Sequence, residues 1–237
     1  MRTVALLFLD NLESLNAFRI PFWPFLLTMA LATAILYTRA TAPNHWRLVV
    51  RSVLSPRAVQ QLIREENIME NTYSGLLVLT FFLSAALFID VLNDEYLLTQ
   101  SPYPFLSYAI FLTGILLIYV IKIAGLWLIQ WIFLERALFE EYLVSLMNIN
   151  VVLGASLIPL NLLILYSITS SASAFIQIGL VLVGLSFVLR AVRIIDTGRK
   201  HEFTWYNIIL YLCTLEIVPI IMLIKLLENF GISLIEH

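Results

Sequence analysis

Charged residues are scarce in this chain. Only 13% of its 237 residues are Asp, Glu, Lys or Arg, whereas soluble domains carry about 25%, and 61% are hydrophobic. The low fraction of charged residues argues against a soluble domain. Several long apolar runs indicate that most of the chain is embedded in lipid. The formal net charge of −2 is also unlike the basic balance of a nucleic-acid-binding protein. We therefore expect contact with the lipid bilayer and no nucleic-acid partner.

Cysteine is nearly absent as well. Cys213 is the only one, which excludes a disulfide within this chain and a thiolate metal cluster. His45, His201 and His237 are far apart and lack the spacing of metal ligands. The sequence also contains no HExxH motif and no Ser/His or Asp/Asp pair that would indicate a catalytic centre. It therefore predicts no metal, no cofactor and no enzymatic activity.

Several apolar runs are long enough to cross a bilayer, which takes about 20 residues of helix. Pro21 and Trp23 open the first run, as is typical of a helix that begins at the headgroup boundary. We expect one integral membrane domain, residues 1–237, folded as an all-α bundle of about six transmembrane helices. The predicted spans are about 20–38, 73–92, 105–127, 148–166, 174–190 and 205–228.

The longest polar segment, residues 39–72, follows the first span. Ser55 and Pro56 are typical of a helix cap and first turn, and apolar residues then recur at helical spacing. This pattern predicts an interfacial amphipathic helix at about 56–69, either a docking platform for a partner or a solvated connection. The arginines expected to contact lipid headgroups or a partner are Arg47, Arg51, Arg57 and Arg64.

Basic residues are distributed unequally between the two predicted sides. Ten of the fourteen Lys and Arg residues lie in the loops after the first, third and fifth spans. The positive-inside rule therefore predicts that these loops are cytoplasmic and that both termini lie outside. Within this distribution, one group is interpreted as a membrane-surface anchor: Arg190, Arg193, Arg199 and Lys200. Asp90, at the end of the second span, is interpreted as an interfacial carboxylate.

Glu216 lies near the middle of the last apolar run. An acidic residue at that depth is costly unless it is paired, and such residues often mark functional sites. We predict that Glu216 faces the bundle interior and pairs with Lys122 of the third span, or with Asn150 or Asn161 of the fourth. The two asparagines are more typical of contacts between helices than of solute binding.

Two prolines interrupt the predicted spans near these polar residues. Pro159 and Pro219 each remove one backbone hydrogen bond, so each is expected to break or bend its helix. The polar cluster then has three interpretations. It is a structural clasp between helices, a proton or ion site beside a broken helix, or a centre of catalysis within the membrane. The catalytic interpretation lacks an identifiable second group for acid–base chemistry.

Four features together resemble a known family. They are IREENIMENTYSG at the end of the Arg-rich first loop, the lysine of the third run, LIPLN in the fourth span, and LYLCTLEIVPIIMLIK near the end. This combination resembles an uncharacterised bacterial family of integral membrane proteins, known only as a domain of unknown function. The resemblance extends over nearly the whole chain. It implies a bacterial inner-membrane location and no particular activity, substrate or catalytic residue.

We therefore expect a non-enzymatic component or scaffold of a membrane protein assembly, in contact with other membrane or envelope proteins. A chain of this size with six spans has no room for a soluble domain, so its lateral faces and Arg-rich loop would make the contacts. The alternative is a small proton- or ion-coupled transporter that uses Glu216 as its intramembrane carboxylate.

Overall fold

The structure is a computed structural model that describes residues 22–65, 71–96, 104–133, 136–167, 169–200 and Lys225. Within these residues the chain forms α-helices and no strand, so the predicted all-α class is confirmed for them. The helices of this part are α1 (Phe22–Thr41), α2 (Pro43–Leu54), α3 (Pro56–Glu65), α4 (Asn71–Tyr96), α5 (Pro104–Phe133), α6 (Arg136–Tyr166) and α7 (Thr169–Lys200).

Five of the described helices are long and apolar enough to cross a membrane. Each overlaps one of the first five predicted spans, and the chain is therefore a multi-pass membrane protein. The sixth predicted span, 205–228, lies outside the described residues. The five candidate spans are Phe22–Thr41, Tyr73–Asn93, Phe105–Trp127, Glu141–Tyr166 and Ala172–Asp196.

α6 is the central helix of the described bundle. It packs against each of the other six described helices. More than half of its candidate span is buried, 56%, whereas the corresponding share is 22% for α1 and α7 and 28% for α5. Fewer residues of α1, α5 and α7 are therefore buried within the described bundle than residues of α6.

The main core lies where α4, α6 and α7 meet. Phe81 and Phe88 of α4 are seven residues apart, so they lie on one side of that helix, where they pack with Leu157 of α6 and Ile176 of α7. Lipid tails are as apolar as these side chains, so contact between spans depends on close packing and hydrogen bonds more than on exclusion of water.

The closest approach of α4 to α6 is at Gly154. A side-chain carbon at this position would lie 2.5 Å from the Cα atom of Phe81. The hydroxyl of Ser84 donates a 3.2 Å hydrogen bond to the carbonyl of Gly154 at the same contact. Small residues that admit a neighbouring backbone are typical of membrane helix pairs. Gly154 therefore sets the distance between these two helices.

α2 and α3 form a helical hairpin, residues 43–65, that packs against α6. Val49 of α2 and Leu62 of α3 are buried in one cluster with Leu77 of α4 and Val151 of α6. α3 corresponds to the predicted helix at 56–69, whose last residues lie outside the described part, but α2 was not predicted. The hairpin is thus an integral part of the bundle and not simply a solvated connection.

Two helix boundaries differ from the sequence-based prediction. The candidate span in α6 begins at Glu141, before the predicted span start at 148, and Glu141 is buried. α7 continues to Lys200, beyond the predicted span end at 190, and Arg193 is accommodated inside the bundle. Glu141 and Arg193 therefore lie within these helices and do not mark the ends of the apolar runs.

Candidate functional site

A cavity of about 60 Å³ lies between α4, α5 and α6. Two residues of the predicted polar cluster, Lys122 and Asn150, line it together, and the rest of its wall is apolar or aromatic. Both are buried, with 5% and 3% of their surfaces exposed. Since one water occupies about 30 Å³ and pockets for organic ligands measure roughly 300–1,000 Å³, the cavity suits a few waters or an ion.

An arginine of α7 holds Asn150 in place. Nη2 of Arg190 donates a hydrogen bond to Oδ1 of Asn150, and its guanidinium lies 4.9 Å from the ring centroid of Phe187. Arg190 is only 5% exposed. A buried guanidinium requires acceptors, and a planar cation also stacks well on an aromatic face. The interpretation of Arg190 as a membrane-surface anchor is therefore wrong, because this side chain belongs to the interior cluster.

Asn161 lies further along α6 and contacts α4 instead of the cavity. Its Nδ2 donates a 2.9 Å hydrogen bond to the carbonyl of Ser84. The side chain is fully buried, and its Oδ1 accepts no hydrogen bond from the described residues. Asn161 thus joins two spans, and the structure does not bring it to the cavity wall that Lys122 and Asn150 share.

The remaining members of the predicted site have separate positions. Pro159 lies inside α6, which continues on both sides of it, and its missing N–H leaves the carbonyl of Ala155 without the usual helical donor. Glu216 and Pro219 lie outside the described residues. The predicted pairing of Glu216 therefore stays a prediction.

A second polar cluster, which we call the Arg193 cluster, lies where α2, α3, α6 and α7 meet. Nη2 of Arg193 donates to the carbonyl of Ser52. Glu141 and Asp196 both interact electrostatically with Arg193. Nε2 of Gln60 donates a long, 3.5 Å hydrogen bond to Oε2 of Glu141. These contacts attach the hairpin to two spans.

The bond between Arg193 and Ser52 follows from a proline. In a continuing helix the carbonyl of Ser52 would accept a hydrogen bond from the N–H of residue 56, but that residue is Pro56, which has none. Arg193 supplies the missing donor. Its positive charge also lies at the carboxyl end of α2, where the helix dipole is negative.

The sequence analysis did not predict the Arg193 cluster, because it assigned Arg193 to a surface anchor and gave Glu141 no role. Both side chains are buried. One signal was present in the sequence. Ser55-Pro56 ends one helix and starts the next, so it also predicts an unpaired carbonyl at Ser52 that requires a donor.

A third polar contact joins α4 to α5 near the other end of the bundle. Oγ of Ser107 donates to Oδ1 of Asp90, and the hydroxyl of Tyr108 donates to the carbonyl of Leu83 at 3.3 Å. Asp90 lies near the end of its candidate span, as predicted, but it is buried and not simply interfacial.

The predicted headgroup-contact arginines lie on the hairpin. Arg47, Arg51 and Arg57 are exposed, and the side chain of Arg64 lies outside the described ones. Within the residues that the structure describes, no group of three or more His, Cys, Asp or Glu side chains is arranged to hold a metal ion.

Comparison with known proteins gives one match. A family profile described as "Domain of unknown function (DUF4271)" matches residues 24–227. That region extends from the first turn of α1 to beyond Lys225, so it includes both the cavity and the Arg193 cluster. No curated protein and no solved structure matches the chain.

Proposed function

The chain belongs to this domain-of-unknown-function family, and on that premise we propose that it is a non-enzymatic component or scaffold of a membrane protein assembly in the bacterial inner membrane. In this proposal the loops that follow the first, third and fifth spans are cytoplasmic, as the positive-inside rule predicts. Its partners would be other membrane or envelope proteins that contact it from the side.

The observation behind this function is an outward stripe on α7. Apolar residues recur there at alternating spacings of three and four, which is the pattern of left-handed helix pairing. Gln177 and Gly184, seven residues apart, are exposed beside this stripe. An amide is poorly placed against acyl tails but can hydrogen-bond a neighbouring helix, and a glycine lets that helix approach. The exposed stripe consists of Ile178, Val181, Leu185, Val188 and Val192.

The hydrogen bonds of the buried polar side chains also support a scaffold function. Asn161, Arg190 and Arg193 each donate to a different helix from their own. Such bonds fix the arrangement of the spans. A carrier instead needs polar groups that exchange between water on the two sides of the membrane.

Photo-crosslinking from the stripe tests this function. An ultraviolet-activated amino acid at Val181, which is 69% exposed, should give a discrete crosslink to a companion membrane protein or a second copy of the chain. The matched control is Val120 on α5, which is 64% exposed and lies outside the stripe. Gln177→Leu should weaken the Val181 crosslink. Equal diffuse labelling from both positions, with lipid as the main product, would contradict a lateral partner.

The cavity favours a second candidate, a proton- or ion-coupled transporter. Lys122 is a buried cation beside a space large enough for water, which resembles the polar sites that transporters place near the bilayer midplane. A purified monomer without companions that shows pH-dependent uptake in proteoliposomes, lost in Glu216→Gln, would favour this candidate over the scaffold function.

A further inference from the structure

We propose that the outer face of the α2–α3 hairpin is a binding surface for anionic lipid headgroups. Arg47 and Arg51 are four residues apart, so they lie on the same side of α2, and Arg57 lies in the first turn of α3. All three are exposed. We call them the hairpin arginines. This surface is separate from the stripe on α7, and the inference does not depend on the proposed function.

The packing of the hairpin fixes the direction of this face. His45, Val49 and Ser52 recur at spacings of four and three on the other side of α2, and all three are buried. On α3, Val59 and Leu62 are buried in the same way. Each of the two helices thus packs one side against the bundle, and its arginines lie on the side that faces away from the bundle.

Three attachments place the hairpin at the level where the spans end. α2 begins at Pro43, directly after the candidate span of α1 ends at Thr41. Gln60 bonds Glu141, the first residue of the candidate span in α6. Ser52 is bonded by Arg193, in the last turn of the candidate span in α7. The ends of apolar spans lie at the headgroup layer, so the hairpin arginines are within reach of lipid phosphates.

The described side chains on this face include three cations. Residues 43–64 contain no Asp or Glu, and Glu65, which ends α3, has a side chain outside the described ones. Glu141 and Asp196 belong to the inward Arg193 cluster, where they interact with Arg193. The described part of the hairpin's outer face therefore presents its guanidinium groups for an anion.

The chemistry of the guanidinium group selects the ligand. Its planar donors match two oxygens of a phosphate, and the group is always charged. A polybasic segment close to an anionic bilayer gains roughly fivefold in affinity for each basic residue. Three arginines on one fixed surface thus favour phosphatidylglycerol-type headgroups over zwitterionic ones.

The test uses the full-length chain in a nonionic detergent, titrated with phosphatidylglycerol, with phosphatidylcholine or with inorganic phosphate. Binding is followed by the shift in thermal unfolding and by lipid retention in native mass spectrometry. The variant is Arg47→Gln/Arg51→Gln/Arg57→Gln. The matched control is Lys225→Gln, which removes an exposed cation outside the hairpin.

We expect the wild-type chain to bind phosphatidylglycerol more tightly than phosphatidylcholine. The triple variant should bind phosphatidylglycerol more than tenfold more weakly than the wild-type chain does. Higher salt should weaken wild-type binding because exposed charges are screened. The control should retain wild-type binding, and unliganded unfolding should be unchanged in both variants because the substituted side chains are exposed. Unaltered lipid affinity in the triple variant would overturn the inference. So would equal stabilisation of the wild-type chain by inorganic phosphate.

Discussion

The side-chain amide of Asn161 donates a 2.9 Å hydrogen bond to the main-chain carbonyl of Ser84, which joins α6 to α4 across 77 residues of sequence. The hydroxyl of Ser84 donates in the opposite direction, to the carbonyl of Gly154. Each helix therefore supplies both a donor and an acceptor to the contact. The two bonds lie close to the point where a glycine brings the backbones together, so helix distance and hydrogen bonding depend on one another.

Asn161→Ala should lower the stability of the bundle by about 1 kcal/mol, since hydrogen bonds between membrane helices average roughly 0.6 and reach about 1.7 kcal/mol. Asn161→Asp should cost more, because an ionised carboxylate cannot donate to the carbonyl of Ser84 and would be a buried charge. Unfolding in mixed micelles with increasing dodecyl sulfate measures both variants. A smaller loss for aspartate than for alanine would show that the amide donor is not what matters.

Gly154→Ala should destabilise the contact between α4 and α6 by about 1–3 kcal/mol, the usual cost of overpacking. The added carbon would meet the backbone of Phe81, which cannot rotate away as a side chain can. Gly75→Ala in α4 is the control, because nothing lies within 4 Å of its added carbon. That substitution should be neutral or stabilising by up to about 1 kcal/mol through helix propensity. Equal effects at the two positions would refute the close approach.

Arg193→Met should destabilise the chain by about 3–5 kcal/mol, because it leaves the buried carboxylate of Glu141 without its cation and the carbonyl of Ser52 without a donor. Adding Glu141→Gln should recover part of this loss, since it removes the buried charge that has lost its cation. A double-mutant cycle measured by unfolding should give a coupling of roughly 0.5–3 kcal/mol. Strictly additive losses would mean that the two residues do not interact.

Glu216 lies outside the described residues, and its partner is predicted from the sequence. One N–H of the Asn161 amide donates to Ser84, which leaves a second N–H for an ionised Glu216 and Oδ1 for a protonated one. A cation such as Lys122 would stabilise an ionised Glu216 more strongly than an amide would. Lys122→Glu and Glu216→Lys should each reduce the amount of folded protein in membranes, and their combination should restore it. If the exchanged pair folds no better than either single variant, the pairing is wrong.

The five described spans were predictable because lipid leaves a chain little choice. A segment that crosses the bilayer must satisfy its own backbone, so a long apolar run almost always becomes a helix. The close contact at Gly154 was less predictable. The sequence placed Asn150, Gly154 and Asn161 on one side of α6, but it did not indicate which helix would face them.

The direction of charged side chains was the main point that the sequence left open. An arginine at the end of a span can extend to the headgroups or turn inward, and residue type and spacing are the same in both cases. Arg190 and Arg193 turn inward because Asn150 and the carbonyl of Ser52 lie within reach. Those acceptors come from distant parts of the chain, so only the folded arrangement shows the choice. α2 was missed because Arg47 and Arg51 fall within a polar segment that looked like a loop.

Pro56 also has a consequence for biosynthesis. The ribosome completes the hairpin long before it reaches Arg193, so the carbonyl of Ser52 lacks this donor while α4, α5 and α6 are synthesised. The hairpin can form its final contact with α7 only after Arg193 has been synthesised. A nascent chain arrested before α7 should therefore expose the hairpin to protease, and one released after it should protect the hairpin.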